Sequence, residues 1–151
     1  MIKVLFVCHG NICRSPMAEF VFKKMVYDLG YADKFIIDSA ATSTEEIGHS
    51  IHPGTKIILK KYQIPFDAHQ AIQMTKKDYN AYDYLLGMDS ANIKNMLRIS
   101  NGDPDKKIHK LLSYTNTDAD VADPWYTNNF EETYNDIDAG CSGFLKSLLL
   151  F

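Results

Sequence analysis

Cys8 and Arg14 stand six positions apart at the first turning point of the chain, followed by Ser15 and Pro16. The loop reads Cys8-His9-Gly10-Asn11-Ile12-Cys13-Arg14-Ser15 and comes directly after the apolar run Val4-Leu5-Phe6-Val7. A strand that closes on this cysteine and a helix that opens after it would put a nucleophile, a fixed cation and a row of backbone N–H groups in one loop. A helix N-terminus carries unpaired N–H groups and a partial positive charge, and it binds phosphate on that basis. Gly10 is expected to let the backbone curl so that consecutive N–H groups converge on one anion. Arg14 adds a two-pronged clamp on phosphate oxygens. The same field favours a thiolate at Cys8, because thiols at helix N-termini or beside cations ionise at roughly 3.5–7.5 rather than about 8.5. The phosphate-binding set is then His9, Gly10, Asn11, Ile12, Cys13, Arg14 and Ser15, with the Ser15 hydroxyl able to hydrogen-bond the thiolate. The chemistry is attack of a thiolate on phosphorus.

Such an attack expels an alkoxide or phenoxide, which needs a proton from a carboxyl group. Asp123, in Asp123-Pro124-Trp125-Tyr126, is the best candidate, and Trp125 and Tyr126 can wall a slot for a substrate ring. Asp118 and Asp120 compete from the same loop, and the residues alone leave the three open. A zinc site from Cys8, Cys13 and a histidine fits poorly, because no second close ligand pair accompanies them. A Gly-x4-Gly-Lys-Ser/Thr loop is absent, which argues against a nucleotide triphosphatase.

The elements that must position these groups follow from patterning. Ile2–Val7 reads as a buried central strand. Ser15-Pro16 reads as the cap of a helix whose buried face is Met17, Phe20, Val21, Met25 and Leu29, ended by Gly30. Strands are expected over Phe35–Ser39, within Tyr82–Met88 and over Ile108–Leu112. Helices are expected from Pro53 through Lys61, from the Thr75 cap with Asp78, and after Asp89 or Ser90 through Leu97. Thr115–Asp123 reads as a polar loop, and Asn129–Leu150 as a last helix weakened at Gly140 and Gly143. Strand alternating with helix predicts one α/β domain over residues 1–151, a four-stranded parallel twisted sheet with helices on both faces. Ligands bind such sheets beyond the carboxyl ends of the strands, at the switch point, where the first loop falls.

The bulk composition agrees with one compact domain: 151 residues, 46% hydrophobic, formal charge −3. Dispersed lysines and a negative net charge exclude a nucleic-acid footprint. The N-terminal apolar run is too short for a membrane span or secretory core. A cytoplasmic protein with no membrane contact is therefore expected. Three cysteines make no disulfide framework, and Cys141 reads as a small buried residue.

Across essentially its whole length the chain resembles the low-molecular-weight protein tyrosine phosphatases. The resemblance rests on Val7-Cys8-His9-Gly10-Asn11-Ile12-Cys13-Arg14-Ser15-Pro16, on Asp38-Ser39-Ala40, on Tyr82-Asp83-Tyr84 with Met88-Asp89, and on Asp123-Pro124. It implies the phosphotyrosine protein phosphatase I-like fold. It also implies Cys8 as the residue that forms a phosphocysteine, Arg14 and the loop amides as phosphoryl ligands, and Asp123 as acid and then base. Asn11, Ser15, Ser39 and His69 match positions that brace the loop, and Cys13 matches a second cysteine that guards Cys8 through a reversible disulfide. The implied substrates are phosphotyrosine-containing proteins and small aryl phosphates, with inorganic phosphate as product. No cofactor or metal is implied, and the expected form is a monomer or weak dimer.

The chain departs from the family pattern in three places. Thr44-Glu45-Glu46 replaces a bulky wall of the slot, Ile72 stands where a basic residue is usual, and Trp125 follows the Asp-Pro pair. The slot set is thus Glu45, Trp125 and Tyr126, more acidic on one wall and more aromatic on the other. The nearest rival is a protein arginine phosphatase, which usually has threonine where Ile12 stands. An arsenate reductase of the same fold needs relay cysteines, and residues 60–100 contain none. A phosphotransfer protein of the sugar-transport type keeps the cysteine without the arginine.

Overall fold

The computed structural model describes residues 1–149. Four parallel strands, β1 (Ile2–Cys8), β2 (Phe35–Ala41), β3 (Tyr84–Gly87) and β4 (Ile108–Lys110), form one sheet in the order β2-β1-β3-β4. Six helices accompany them: α1 (Arg14–Asp28), α2 (Pro53–Lys61), α3 (Lys76–Ala81), α4 (Ser90–Ser100), α5 (Pro124–Thr127) and α6 (Phe130–Leu149). No described helix is long and apolar enough to cross a membrane.

β1 is apolar without interruption because both of its faces are covered. Val4, Phe6 and Cys8 enter one core with residues of α1, α2 and α6, while Leu5 and Val7 enter the other with Tyr79, Met96 and Ile108. Successive strand side chains point to opposite faces, so a strand with a core on each side has no polar register. The chain leaves β1 for β2 on one side and returns to β3 on the other. The carboxyl end of β1 is therefore the switch point, and the Cys8–Ser15 loop lies over it.

Several boundaries differ from the sequence reading. α1 begins at Arg14 with Cys13 as N-cap and no side-chain cap, so Ser15 is not the cap. Residues 14–22 of α1 are buried on every side rather than along one stripe, whereas Met25 is half-buried and Leu29 is exposed. β3 is trimmed to four residues, and β4 stops at Lys110 because Leu111–Thr115 winds into a 3-10 turn. A short helix, α5, follows Asp123 directly, capped by that aspartate. The last expected helical residue, Leu150, lies outside the described residues.

Gly140 and Gly143 are not weak points of α6. They let it close onto the 3-10 turn: a Cβ at Gly140 would fall 2.6 Å from Leu111 Cγ, and one at Gly143 would run into the Tyr114 carbonyl. A helical Gly→Ala change in open space gains about 1 kcal/mol, but overpacking costs about 1–3 kcal/mol. At Gly143 the obstacle is backbone and cannot rotate away. Gly143→Ala is therefore expected to destabilise the fold by roughly 1–2 kcal/mol in urea unfolding; a net gain in stability would contradict this packing.

Candidate active site

The Cys8–Ser15 loop is built around one buried asparagine. Asn11 is fully buried and has φ 59°, the left-handed region that asparagine tolerates best after glycine. The expected curl thus falls on Asn11 and not on Gly10. Gly10 has an ordinary φ and serves close approach, since a Cβ there would lie 3.2 Å from Glu46 Cγ.

Every polar atom of the Asn11 side chain is used. Its Nδ2 donates to Ser15 Oγ (2.7 Å) and Ser39 Oγ (3.0 Å). Its Oδ1 accepts from Ile72 N (3.2 Å) and His69 Nε2 (3.1 Å), and His69 Nε2 also reaches the Asn11 carbonyl at 3.2 Å. Two oxygen acceptors around Nε2 assign the ring proton to that nitrogen. Ser39 in turn donates to Glu19 Oε1 (2.6 Å), and Glu19 Oε2 takes Lys23 Nζ at 2.6 Å. Hydrogen bonds therefore connect Lys23 at the helix surface to Ser15: Lys23 and Ser39 both donate to Glu19, and Asn11 donates to Ser39 and Ser15.

Ser15 Oγ lies 3.0 Å from Cys8 Sγ and 3.4 Å from the Ala40 carbonyl. Having accepted from Asn11, it has one proton to give, and the short contact directs it to sulfur. Asn11 N and Ser15 N also point at Cys8 Sγ, at 3.3 and 3.4 Å. Three donors thus converge on one sulfur. The N–H groups of Gly10, Ile12 and Cys13 have no protein acceptor among the described residues. Burial, reinforced by the neighbouring Cys8 and Asp123 charges, pushes the Cys13 thiol up to about 12.

Arg14 is buried in a box of acceptors. Its Nη1 donates to Asp89 Oδ2 (2.8 Å) and the Val121 carbonyl (3.2 Å), and its Nη2 to Asp123 Oδ2 (3.3 Å). Burial alone would lower its pKa, but the charges of Cys8, Asp123 and Asp89 outweigh that and raise it. Asp89 does two jobs, since its other oxygen accepts from Asn92 N (2.7 Å) as the N-cap of α4. Asp123 likewise caps α5 through Trp125 N (3.1 Å).

These groups share a cleft of about 490 Å³ lined by Cys8, Arg14, Asp89 and Asp123 at its base and by Glu45, Glu46, Trp125 and Tyr126 near its rim. Trp125 and Tyr126 are 70% and 84% exposed, free to meet a ring. On the opposite rim His9 Nε2 pairs with Glu45 Oε2 at 2.9 Å, and His49 pairs with Glu46.

The structure thus brings Cys8, Arg14 and Asp123 together and sets Ser15, Ser39 and His69 against Asn11. Asp118 and Asp120, open alternatives from the sequence, face Lys110 instead and do not line the cleft. Two residues escaped the sequence reading. Glu19 left a signal, a carboxylate inside the apolar run Met17-Ala18-Glu19-Phe20-Val21-Phe22. Asp89 showed only as a capping position and in the Met88-Asp89 pair of the resemblance, neither of which points to Arg14. Among the described residues no cluster of three or more His, Cys, Asp or Glu side chains is placed to hold a metal ion.

Comparison with known proteins agrees with this geometry. Residues 3–149 match the family model described as low molecular weight phosphotyrosine protein phosphatase. The chain is 41% identical over 150 residues to the low molecular weight protein-tyrosine-phosphatase YfkJ of Bacillus subtilis, covering 98% of this chain and 96% of that protein. The crystal structure of YfkJ superposes with a TM-score of 0.95 over 99% of this chain and 95% of its own. A low molecular weight protein tyrosine phosphatase from Streptococcus pyogenes is 48% identical, with a TM-score of 0.89, covering 98% and 93% of the two chains. The low molecular weight phosphotyrosine protein phosphatase of Gallus gallus is 43% identical over 148 residues, 95% of this chain and 93% of that protein. With its fold and nearly all of its length in common with these proteins, the chain belongs to the low molecular weight phosphotyrosine protein phosphatase family.

Proposed function

We propose that this chain hydrolyses phosphotyrosine in proteins, and small aryl phosphates, through a phosphocysteine on Cys8. The observation that carries the reading is Cys8 Sγ held under Asn11 N, Ser15 N and Ser15 Oγ in the cleft that also holds Arg14 and Asp123. A phosphate dianion entering between the free loop amides and Arg14 competes with Asp123 for the guanidinium. Asp89 keeps its hold on Nη1, so the clamp stays oriented. Asp123, released from the guanidinium, gives a proton to the leaving tyrosyl oxygen as Cys8 attacks phosphorus. The resulting carboxylate then takes a proton from water as the water attacks the phosphocysteine. Inorganic phosphate leaves, and Ser15 stabilises the returning thiolate. The sequence reading adds a cytoplasmic setting and a monomer or weak dimer.

Cys13 serves as the redox guard. Its thiol is held protonated partly by the Cys8 charge. A peroxide that oxidises the Cys8 thiolate to the sulfenic acid, itself reduced to water or an alcohol, removes that charge; the Cys13 thiol then attacks the Cys8 sulfur, expelling water and forming the disulfide.

Cys8→Ser is expected to retain inorganic phosphate binding and lose turnover of p-nitrophenyl phosphate. Asp123→Asn is expected to lower kcat about 10²–10⁴-fold, least for leaving groups that need no proton. The same loss in Asp118→Asn would contradict the acid assignment. Profiling phosphotyrosine, phosphoserine and phosphoarginine peptides should place phosphotyrosine first; preference for phosphoarginine would select the rival. Glu45 and Glu46 at the rim predict a higher kcat/KM for phosphotyrosyl peptides with basic rather than acidic flanks, and equal values would remove that role.

Iodoacetamide at neutral pH should label Cys8 and spare Cys13. A thiol with its pKa raised to about 12 stays protonated from acid to well above neutral pH, and the thiolate is the reactive form. Comparable labelling of Cys13, read by peptide mass, would contradict this.

A further inference from the structure

Asp123 hangs from a segment with no regular structure of its own, residues 116–123, and that segment is tied at both ends. On the α6 side, Ala122 N donates to Asp136 Oδ2 (2.9 Å) and the Ala122 carbonyl accepts from Thr133 Oγ1 (2.8 Å). On the sheet side one of the ties is a cation. Lys110, the last residue of β4, is 11% exposed, and its Nζ donates to the Asp118 carbonyl (2.8 Å) and pairs with Asp120 Oδ1 (2.9 Å). The same Asp120 oxygen accepts from Ser90 N (3.1 Å), the residue after Asp89 at the start of α4. Val121 follows, with its N–H on the Met88 carbonyl (2.8 Å) and its own carbonyl on Arg14.

We propose that Lys110 is a positioning residue for the general acid: it fastens the Asp118–Asp120 turn to the end of β4 and to α4, and so sets where Asp123 meets the leaving oxygen. The inference rests on the phosphatase reading above. The partners favour a local over a global role. Asp120 and Asp118 are 53% and 95% exposed, and pairs with such exposed members add little to overall stability. Asp120 and Asp123 are three positions apart, at most about 3.3–3.6 Å each, so the Asp120 anchor lies one short span from the carboxyl. Small misplacement of a reacting group has large kinetic effects. Lys110 is not among the residues that line the cleft, which separates positioning the acid from binding the phosphate.

The test compares Lys110→Met, Lys110→Arg and Asp123→Asn on phenyl phosphate, whose leaving group needs a proton, and p-nitrophenyl phosphate, whose leaving group needs it much less. kcat/KM is the readout because it reports the steps through phosphocysteine formation. Lys110→Met is expected to lose about ten-fold on phenyl phosphate and under about three-fold on p-nitrophenyl phosphate, a smaller copy of the Asp123→Asn pattern. The inhibition constant for inorganic phosphate should stay unchanged, and Lys110→Arg should recover most of the loss. Equal loss on both substrates, or no loss, overturns the positioning role. If Asp123→Asn itself shows no leaving-group dependence, the acid reading falls with it, which distinguishes the two failures. Should Lys110→Met fail to fold, Asp120→Asn breaks the same ion pair while leaving an acceptor for Ser90 N, and the same leaving-group pattern is required of it.

Discussion

Asn11 sits with φ 59° and no solvent contact, and an arrangement like that survives only when the surroundings over-determine it. Here two hydroxyls, an imidazole N–H and a backbone N–H occupy the whole side-chain amide. A buried amide left half-satisfied costs about 1–3 kcal/mol per group, so the network holds as a unit or not at all. Its consequence is geometric. The left-handed turn at Asn11 points its own N–H at Cys8 sulfur, and Nδ2 holds Ser15 so that the hydroxyl faces the same atom. In the proposed mechanism the nucleophile is thus organised before any substrate arrives, which is where electrostatic catalysis takes its advantage.

Arg14 couples this loop to the acid. One guanidinium bridges Asp89 at the head of α4 and Asp123 at the head of α5. The two contacts are unequal: 2.8 Å to a carboxylate that also caps a long helix, and 3.3 Å to one on a short loop. The weaker contact is the one that must yield when a phosphate enters, and it belongs to the group that must take up a proton. Orientation is kept by the stronger one. Both aspartates use one oxygen for a helix cap and the other for arginine, so neither carboxyl is free to rotate away.

Much of this was legible in the chain. Cys8 and Arg14 announce themselves because strand, loop and helix chemistry coincide within eight residues, and β1 reads as central because two cores erase its polar register. The limits have physical causes. Gly10 drew attention as the flexible residue, but asparagine can take a left-handed turn when its side chain is fully bonded, and sequence does not display those partners. Ser15 looked like a cap because its type and the following proline fit one; tertiary contact with Cys8 claimed its hydroxyl instead. Asp118, Asp120 and Asp123 are alike in type and nearly alike in position, and tertiary contacts separate them: Lys110 holds the first two and Arg14 the third. Gly140 and Gly143 read as helix breakers since the close approach of Leu111 and Tyr114 is a property of packing.

The central claim is that phosphoryl transfer passes through Cys8. Rapid quenching of the enzyme with an aryl phosphate carrying a radiolabelled phosphoryl group, followed by peptide mapping, tests it most directly. The account predicts a transient approaching one label per chain, confined to the peptide that begins the α1 loop and bound through Cys8 sulfur. Label on Ser15, His9 or Cys13, or turnover with no labelled protein at any time, would contradict it.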